Sequence, residues 1–224
     1  SRDANRGECA HPCRWKYYLM EEKRPGEYIP VFEDEKGTYF LHSKDLCMIE
    51  HIPELIESGI NSFKIEGRMK SIYYVATIVN AYRRAIDTYL NDKESYRYNP
   101  QWIAEIQKAS HREFTTGFYF KKPGPQEQLY SNADYVREYS FVGVVLDYDP
   151  NSKIATIEQR NKISKGDIVE IMGPDIEYFV QKIDTLWDEE GNEIQSAPHP
   201  QQIVKIKVNQ PVKPYYLLRK ESET

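Results

Sequence analysis

With 224 residues, 40% of them hydrophobic and 13% aromatic, the chain can bury a sizeable core and is long enough for two small domains. No apolar run approaches the roughly 18 residues of a membrane span and no charged-then-apolar leader is seen. With three cysteines, an odd number, this predicts a cytoplasmic protein with no membrane partner and no disulfide framework. The net charge is -5, and residues 131–224 hold 11 of the 30 basic but 16 of the 35 acidic side chains, which argues against nucleic-acid binding through bulk charge.

Ser1 to Arg14 is rich in charge and turn formers without periodicity and predicts a loop. Within it, Cys9-Ala10-His11-Pro12-Cys13 brings two thiols and an imidazole together, and Arg6, Arg14 and Lys16 favour thiolates over thiols. That spacing suits half of a zinc or iron-sulfur site; two reduced cysteines in a loop is the simpler reading. Strands are predicted over Trp15 to Met20 and Tyr28 to Glu33, with Pro25-Gly26 turning between them, and over Thr38 to Leu41. The third ends in the polar run His42-Ser43-Lys44-Asp45. Ser43 is suited to cap a helix through Ile52, and Pro53 to start another that stops at Gly59. Cys47, between Leu46 and Met48, reads as a small buried hydrophobe.

Phe63-Lys64-Ile65-Glu66 alternates with the period of a half-buried strand, and Gly67 frees the backbone to turn. From Ser71 the period becomes helical: Ile72, Val75, Val79, Tyr82, Ile86 and Leu90 recur at three- and four-residue steps and predict the buried face. Ser71 is the expected N-cap, which sets Arg68 and Lys70 beside unpaired backbone N–H groups where an anion is favoured. Lys64, Glu66, Arg68 and Lys70 therefore form either an anion site or a solvated, mutually paired surface turn.

Strand and helix alternate from Thr38 to Leu90, which predicts parallel strands joined by a right-handed crossover. The polar ends at 42–45 and 64–70 would then share one mouth. Two such units cannot close a parallel barrel, so the chain reads as the carboxyl-terminal part of a longer protein. A short helix follows from Pro100, with Trp102, Ile103, Ile106 and Ala109 on one face, then the basic and aromatic segment His111 to Phe120 and a linker, Lys121-Lys122-Pro123-Gly124-Pro125. Beyond Leu129 six strands are predicted: Phe141 to Asp147, Lys153 to Glu158, Asp167 to Met172, Tyr178 to Leu186, Ile203 to Val208 and Tyr215 to Arg219. The expected fold is mixed, a partial βα domain over 1–128 and a small six-stranded β-barrel over 129–224.

No zincin, nucleophile-elbow, P-loop or dinucleotide motif is present. His51, His111 and His199 read as structural or surface residues. His42 stands out through its place at a strand end beside Lys44 and Asp45.

Gly7-Glu8-Cys9-Ala10-His11-Pro12-Cys13-Arg14-Trp15, Ser43-Lys44-Asp45-Leu46, Ile65-Glu66-Gly67-Arg68-Met69-Lys70 and Phe114-Thr115-Thr116-Gly117-Phe118 together resemble the collagenase-like peptidase family U32. The resemblance covers nearly the whole chain. It implies a TIM-like barrel of which only the later part is here, and a terminal barrel similar to the second domain of translation elongation factors. Members most similar to this chain are linked to prephenate-dependent hydroxylation of a tRNA wobble uridine. Such members hold an iron-sulfur cluster on four cysteines, of which Cys9 and Cys13 match the last two. Under that reading Arg68 and Lys70 would hold a phosphate or a carboxylate such as prephenate's, with Lys44 and Lys64 as further anion-binding cations; Glu66 would orient a polar group, Glu66, Arg68 and His42 would form the catalytic set, and the barrel and His111 to Phe120 would present RNA. A paralogous protein subunit is a possible partner. The family name instead implies a metal-dependent peptidase with Glu66 as base and His42 as ligand, and a noncatalytic RNA- or protein-binding module is the third alternative.

Overall fold

The fold was analysed in a computed structural model, which describes residues 17, 18, 20, 25, 26, 42–122, 128, 129 and 136–222; for 42, 43, 128 and 129 the backbone alone is described. Cys9, Cys13 and the strands expected over Tyr28 to Glu33 and Thr38 to Leu41 lie outside these residues. The chain divides into two compact units. One comprises residues 1–70, 85–99 and 111–136, the other 71–84, 100–110 and 137–224.

In the first unit the polar run after the third expected strand is itself paired. β1 (His42–Ser43) is antiparallel to β4 (Gln128–Leu129), and β2 (Asp45–Leu46) is parallel to β3 (Phe114–Thr115). Ser43 therefore does not cap a helix through Ile52. A single 3-10 turn over Ile49–His51 leads into α1 (Ile52–Glu57), with Pro53 in its first turn and Gly59 beyond its end at φ +79. Cys47 is half-buried outside any helix, its backbone N–H donating to the Thr115 carbonyl at 2.9 Å. Phe63 to Glu66 also departs from expectation. Phe63 and Ile65 are half-buried and Lys64 and Glu66 exposed, so the alternation is present, but no described strand pairs with it. Period two specifies an extended backbone with two faces; a ladder additionally needs a neighbour, which the local pattern does not encode.

α2 (Ile72–Asn91) has the length the periodicity predicts. Its buried positions are different: Tyr73, Thr77, Ile78, Ala81, Ala85 and Tyr89 are inside, while Ile72 (53% exposed), Val75 (37%), Val79 (43%) and Leu90 (52%) face out and Tyr82 and Ile86 are half-buried. The helix has two apolar faces. The buried one is built of small residues that admit close approach and of tyrosines whose hydroxyls find partners. The Tyr89 hydroxyl donates to Glu57 Oε1 at 2.5 Å within the first unit, and the Tyr73 hydroxyl to the Lys108 carbonyl at 2.9 Å within the second.

The second unit is built on a seven-stranded antiparallel sheet. Its strands are β5 (Tyr139–Asp149), β6 (Ile154–Gln159), β8 (Ile168–Gly173), β9 (Ile176–Lys182), β10 (Leu186–Asp188), β12 (Ile203–Lys207) and β13 (Leu217–Glu221), in the order β10-β12-β6-β5-β13-β8-β9. A separate two-residue pair joins β7 (Ile163–Ser164) to β11 (Ser196–Ala197). The strand expected over Tyr178 to Leu186 is thus two strands, one at each edge of the sheet. Residues 183–185 alone separate Lys182 from Leu186, a span of roughly 14 Å when extended, so the sheet must roll until its edges approach. Gln181 helps to bridge that gap: its amide donates to the Lys207 carbonyl and accepts the Asn209 N–H, both at 2.9 Å. Ala155, Ile157, Val169, Ile171, Val204, Ile206 and Leu218 fill the interior, in keeping with the buried-every-second-residue pattern of β6 and β12.

Part of the outer face is covered too. Tyr73 and Ala76 of α2 pack on Val144, Met172 and Leu217, and the rings of Tyr73 and Phe141 stack at 5.7 Å. Asn80 Nδ2 donates to the Gly173 carbonyl at 3.4 Å and the Arg84 guanidinium to that of Ile176. α3 (Gln101–Gln107) buries Trp102 and Ile106 as its spacing predicts and is also tied down by charge. Arg219, fully buried on β13, donates to Glu105 Oε2 at 2.6 Å and Glu170 Oε2 at 2.7 Å, and Lys108 bonds the same two carboxylates at 2.9 Å. The Lys108 ammonium also lies 3.9 Å from the centroid of the Tyr178 ring.

Burial pushes the Tyr73 phenol up to about 12, against the lowering pull of Arg219. The folded chain keeps a proton that the unfolded chain gives up near 10, so this stabilisation is complete below the unfolded value and lost as pH rises through the folded one. Denaturant unfolding between about pH 10 and about pH 12 should lose roughly 1.4 kcal/mol per pH unit from this group alone, and Tyr73→Phe should flatten that slope.

Candidate anion-binding loop

The loop 64–70 is shaped by its own backbone. The Arg68 N–H donates to Glu66 Oε1 at 3.0 Å, and the Lys70 N–H closes a turn onto the Gly67 carbonyl at 2.9 Å. Ser71 then caps α2 as expected: its hydroxyl accepts the Tyr74 N–H at 3.2 Å and its carbonyl begins the helical ladder to Val75. Lys64, Glu66 and Arg68 are exposed and Lys70 is half-buried. Glu66 is therefore occupied at one oxygen with shaping the turn that carries Arg68, an organising role that sequence spacing did not reveal. The polar group it orients is the Arg68 backbone itself.

Lys44 is ion-paired with Glu113 at 2.7 Å, and next to it Asp45 Oδ2 accepts the backbone N–H of the buried Arg112 at 3.0 Å. The His111 ring stacks on Phe114 at 4.9 Å, and the His111 backbone bridges to Val136. Lys44 is thus brought to the 111–115 segment by the parallel β2–β3 pair. Glu113 was not foreseen as the partner of Lys44, nor Arg112 as that of Asp45; the charged pair Arg112-Glu113 is the one sequence signal that pointed there. His42 is placed by its backbone, opposite Leu129 in β1–β4. Among the described residues no group of three or more His, Cys, Asp or Glu is arranged to hold a metal ion, and no helix is long and apolar enough to cross a membrane.

A two-part chain, with a cysteine-bearing α/β part ahead of a rolled antiparallel sheet, is the class these features define. Residues 1–129 match the model of Peptidase family U32 and residues 137–219 that of the Peptidase family U32 C-terminal domain. The chain belongs to peptidase family U32. It is 44% identical over 220 residues to tRNA hydroxylation protein P1 of Bacillus subtilis, covering 98% of this chain and 52% of that protein. It is 41% identical over 176 residues to an uncharacterized protease of Methanocaldococcus jannaschii, covering 77% and 42%. The solved C-terminal domain of a U32-family protein from Geobacillus thermoleovorans is 54% identical, covering 36% of this chain and 99% of that one with a TM-score of 0.36. The chain spans about half the length of the curated relatives it matches.

Proposed function

We propose that this chain is the carboxyl-terminal part of a tRNA-hydroxylating enzyme, with the loop 64–70 as its anion-binding wall. The observation that carries the reading is the likeness to a tRNA hydroxylation protein across 98% of the chain. The loop supplies a chemistry that fits it. Arg68 on a turn fixed by Glu66 offers a planar, permanently charged fork suited to a carboxylate or phosphate, with Lys64 and Lys70 as more flexible point charges beside it. Prephenate, a dicarboxylate, matches such a set of cations. Lys44, ion-paired with Glu113, would be a further cation of the site, and His42 with Glu66 would handle protons. Cys9 and Cys13 would give two of four thiolates to an iron-sulfur cluster, which supplies redox chemistry when bound; the other two thiolates, and the rest of a TIM-like barrel ahead of residue 128, would come from polypeptide outside this chain. The protein would work in the cytoplasm, alone or with a paralogous subunit.

The test is nucleoside analysis of tRNA from cells whose only copy of the whole protein carries Arg68→Ala. Hydroxylated uridine should fall at least tenfold, the loss expected of a charged hydrogen bond worth about 1.5–3 kcal/mol. Unchanged modification would overturn the role of the loop. In the same strain background, anaerobically purified protein should show visible absorption that Cys9→Ser with Cys13→Ser abolishes; a colourless parent protein would remove the cluster from the reading.

The protease named among the relatives favours a second reading, in which Glu66 activates water on a metal held in part by His42. It asks Glu66 to act as a base while one of its oxygens accepts the Arg68 N–H. Gelatin cleavage by the whole protein, lost in Glu66→Gln, would establish it in place of the first.

A further inference from the structure

We propose that the turn from Gly117 to Lys122 is a stacking platform for unpaired RNA bases, an inference that rests on the tRNA-modification reading above. The turn is held from within and from behind. Gly117 has φ +57, its N–H donates to Thr115 Oγ1 at 3.1 Å, and the Tyr119 N–H reaches the Thr116 carbonyl at 3.3 Å. A Cβ on Gly117 would stand 3.3 Å from Leu46 Cδ1, so the turn sits against β2. Phe120 lies against the His51 ring, with centroids 4.3 Å apart. What this leaves most open is Phe118, 83% exposed, and Tyr119, 58% exposed, with Phe120 still 55% exposed beside His51, followed by the exposed Lys121 and Lys122.

A scattered exposed aromatic is ordinary. Two adjacent rings presented by an internally bonded turn, with two cations directly after them, make the arrangement that takes a base on its face and the neighbouring phosphate on an ammonium. Little entropy is lost on binding, because the turn is already ordered by its own bonds. The net charge of -5 means that bulk attraction does not supply the affinity, which places the weight on stacking. An anionic lipid surface is the other partner this composition suggests. It is disfavoured because the segment whose His51 ring packs on Phe120 also carries two exposed carboxylates, Glu50 and Glu54, which work against a broad anionic surface more than against a single strand.

The experiment is fluorescence anisotropy of a labelled single-stranded oligouridine of about ten nucleotides with the whole protein, repeated with the anticodon stem-loop of a tRNA. Phe118→Ala and Tyr119→Ala should each weaken binding about tenfold, with Phe118→Tyr close to the parent, and none should change the melting temperature because the rings contact solvent. Lys121→Ala with Lys122→Ala should lower the slope of log K against log salt by about 1.4. Undiminished binding by both ring variants overturns the platform while leaving hydroxylation to be judged by nucleoside analysis. Binding to phosphatidylserine vesicles without RNA binding overturns it in favour of a lipid surface, and binding to neither probe overturns it outright. Hydroxylation that fails while ring-dependent RNA binding persists would sink the enzymatic reading and leave the platform standing.

Discussion

Arg219→Met is expected to destabilise the second unit by about 3–5 kcal/mol, a fall in melting temperature on the order of 10 °C, because it strips one cation from a buried four-charge cluster. Arg219 is fully buried and spans Glu105 and Glu170, residues far from each other in sequence, with bonds of 2.6 and 2.7 Å. Removing it leaves those carboxylates with Lys108 alone, and two negative charges cannot both be satisfied by one ammonium in a site this dry. The same carboxylates and the Tyr73 phenol outweigh desolvation and hold the Arg219 guanidinium above its ordinary pKa. Arg219→Lys should fall between parent and Met variant, since a point charge cannot bond both carboxylates with the geometry of a planar fork. Removing the carboxylates as well, in Arg219→Met with Glu105→Leu and Glu170→Leu, should recover part of the loss, because Lys108 can extend its ammonium to solvent. A loss below about 1 kcal/mol in Arg219→Met would mean that the cluster is hydrated and contributes no more than a surface pair.

Gly173→Ala is the second large effect. The Tyr216 ring lies flat against Gly173, so an added Cβ would overlap Cε1, Cζ and Cδ1 of that ring. The ring has nowhere to go: it is 2% exposed, packs into the interior of the rolled sheet and donates its hydroxyl to Asp175. The expected cost is at or above the upper end of the roughly 1–3 kcal/mol of an overpacked core. Gly166→Ala is the informative contrast. Its Cβ would meet nothing within 4 Å, but φ is +94, so only backbone strain of about 1 kcal/mol is expected. In a double-mutant cycle, Tyr216→Leu should relieve Gly173→Ala, making the pair less damaging than the sum of the singles. Additive effects would show that the ring can move aside.

Much of the local structure was legible in the sequence. The α2 helix, its Ser71 cap and the stop of α1 at Gly59 follow from contacts within a few residues, which the sequence states directly, and nearly all of the terminal strands are announced by their alternation and turns although their ladders join distant residues. The candidate loop was legible as a concentration of charge, but not the way Glu66 shapes it, because that bond depends on a turn whose geometry spacing does not specify. The 42–46 segment was misjudged as a helix start because its partners, 114–115 and 128–129, lie far along the chain.

By itself, then, the sequence determined the type of most elements, though not of 43–51 or 63–66, and with them the cysteine pair, the cationic loop and the family, since these rest on residue identity and near-neighbour spacing. Tertiary structure alone decided which of the two apolar faces of α2 is covered, that one predicted strand becomes the two opposite edges of a sheet, and that residues 105, 108, 170 and 219 form one buried charge cluster. Each of those outcomes is a competition between distant partners for the same surface, and a linear pattern records the candidates without recording which of them wins.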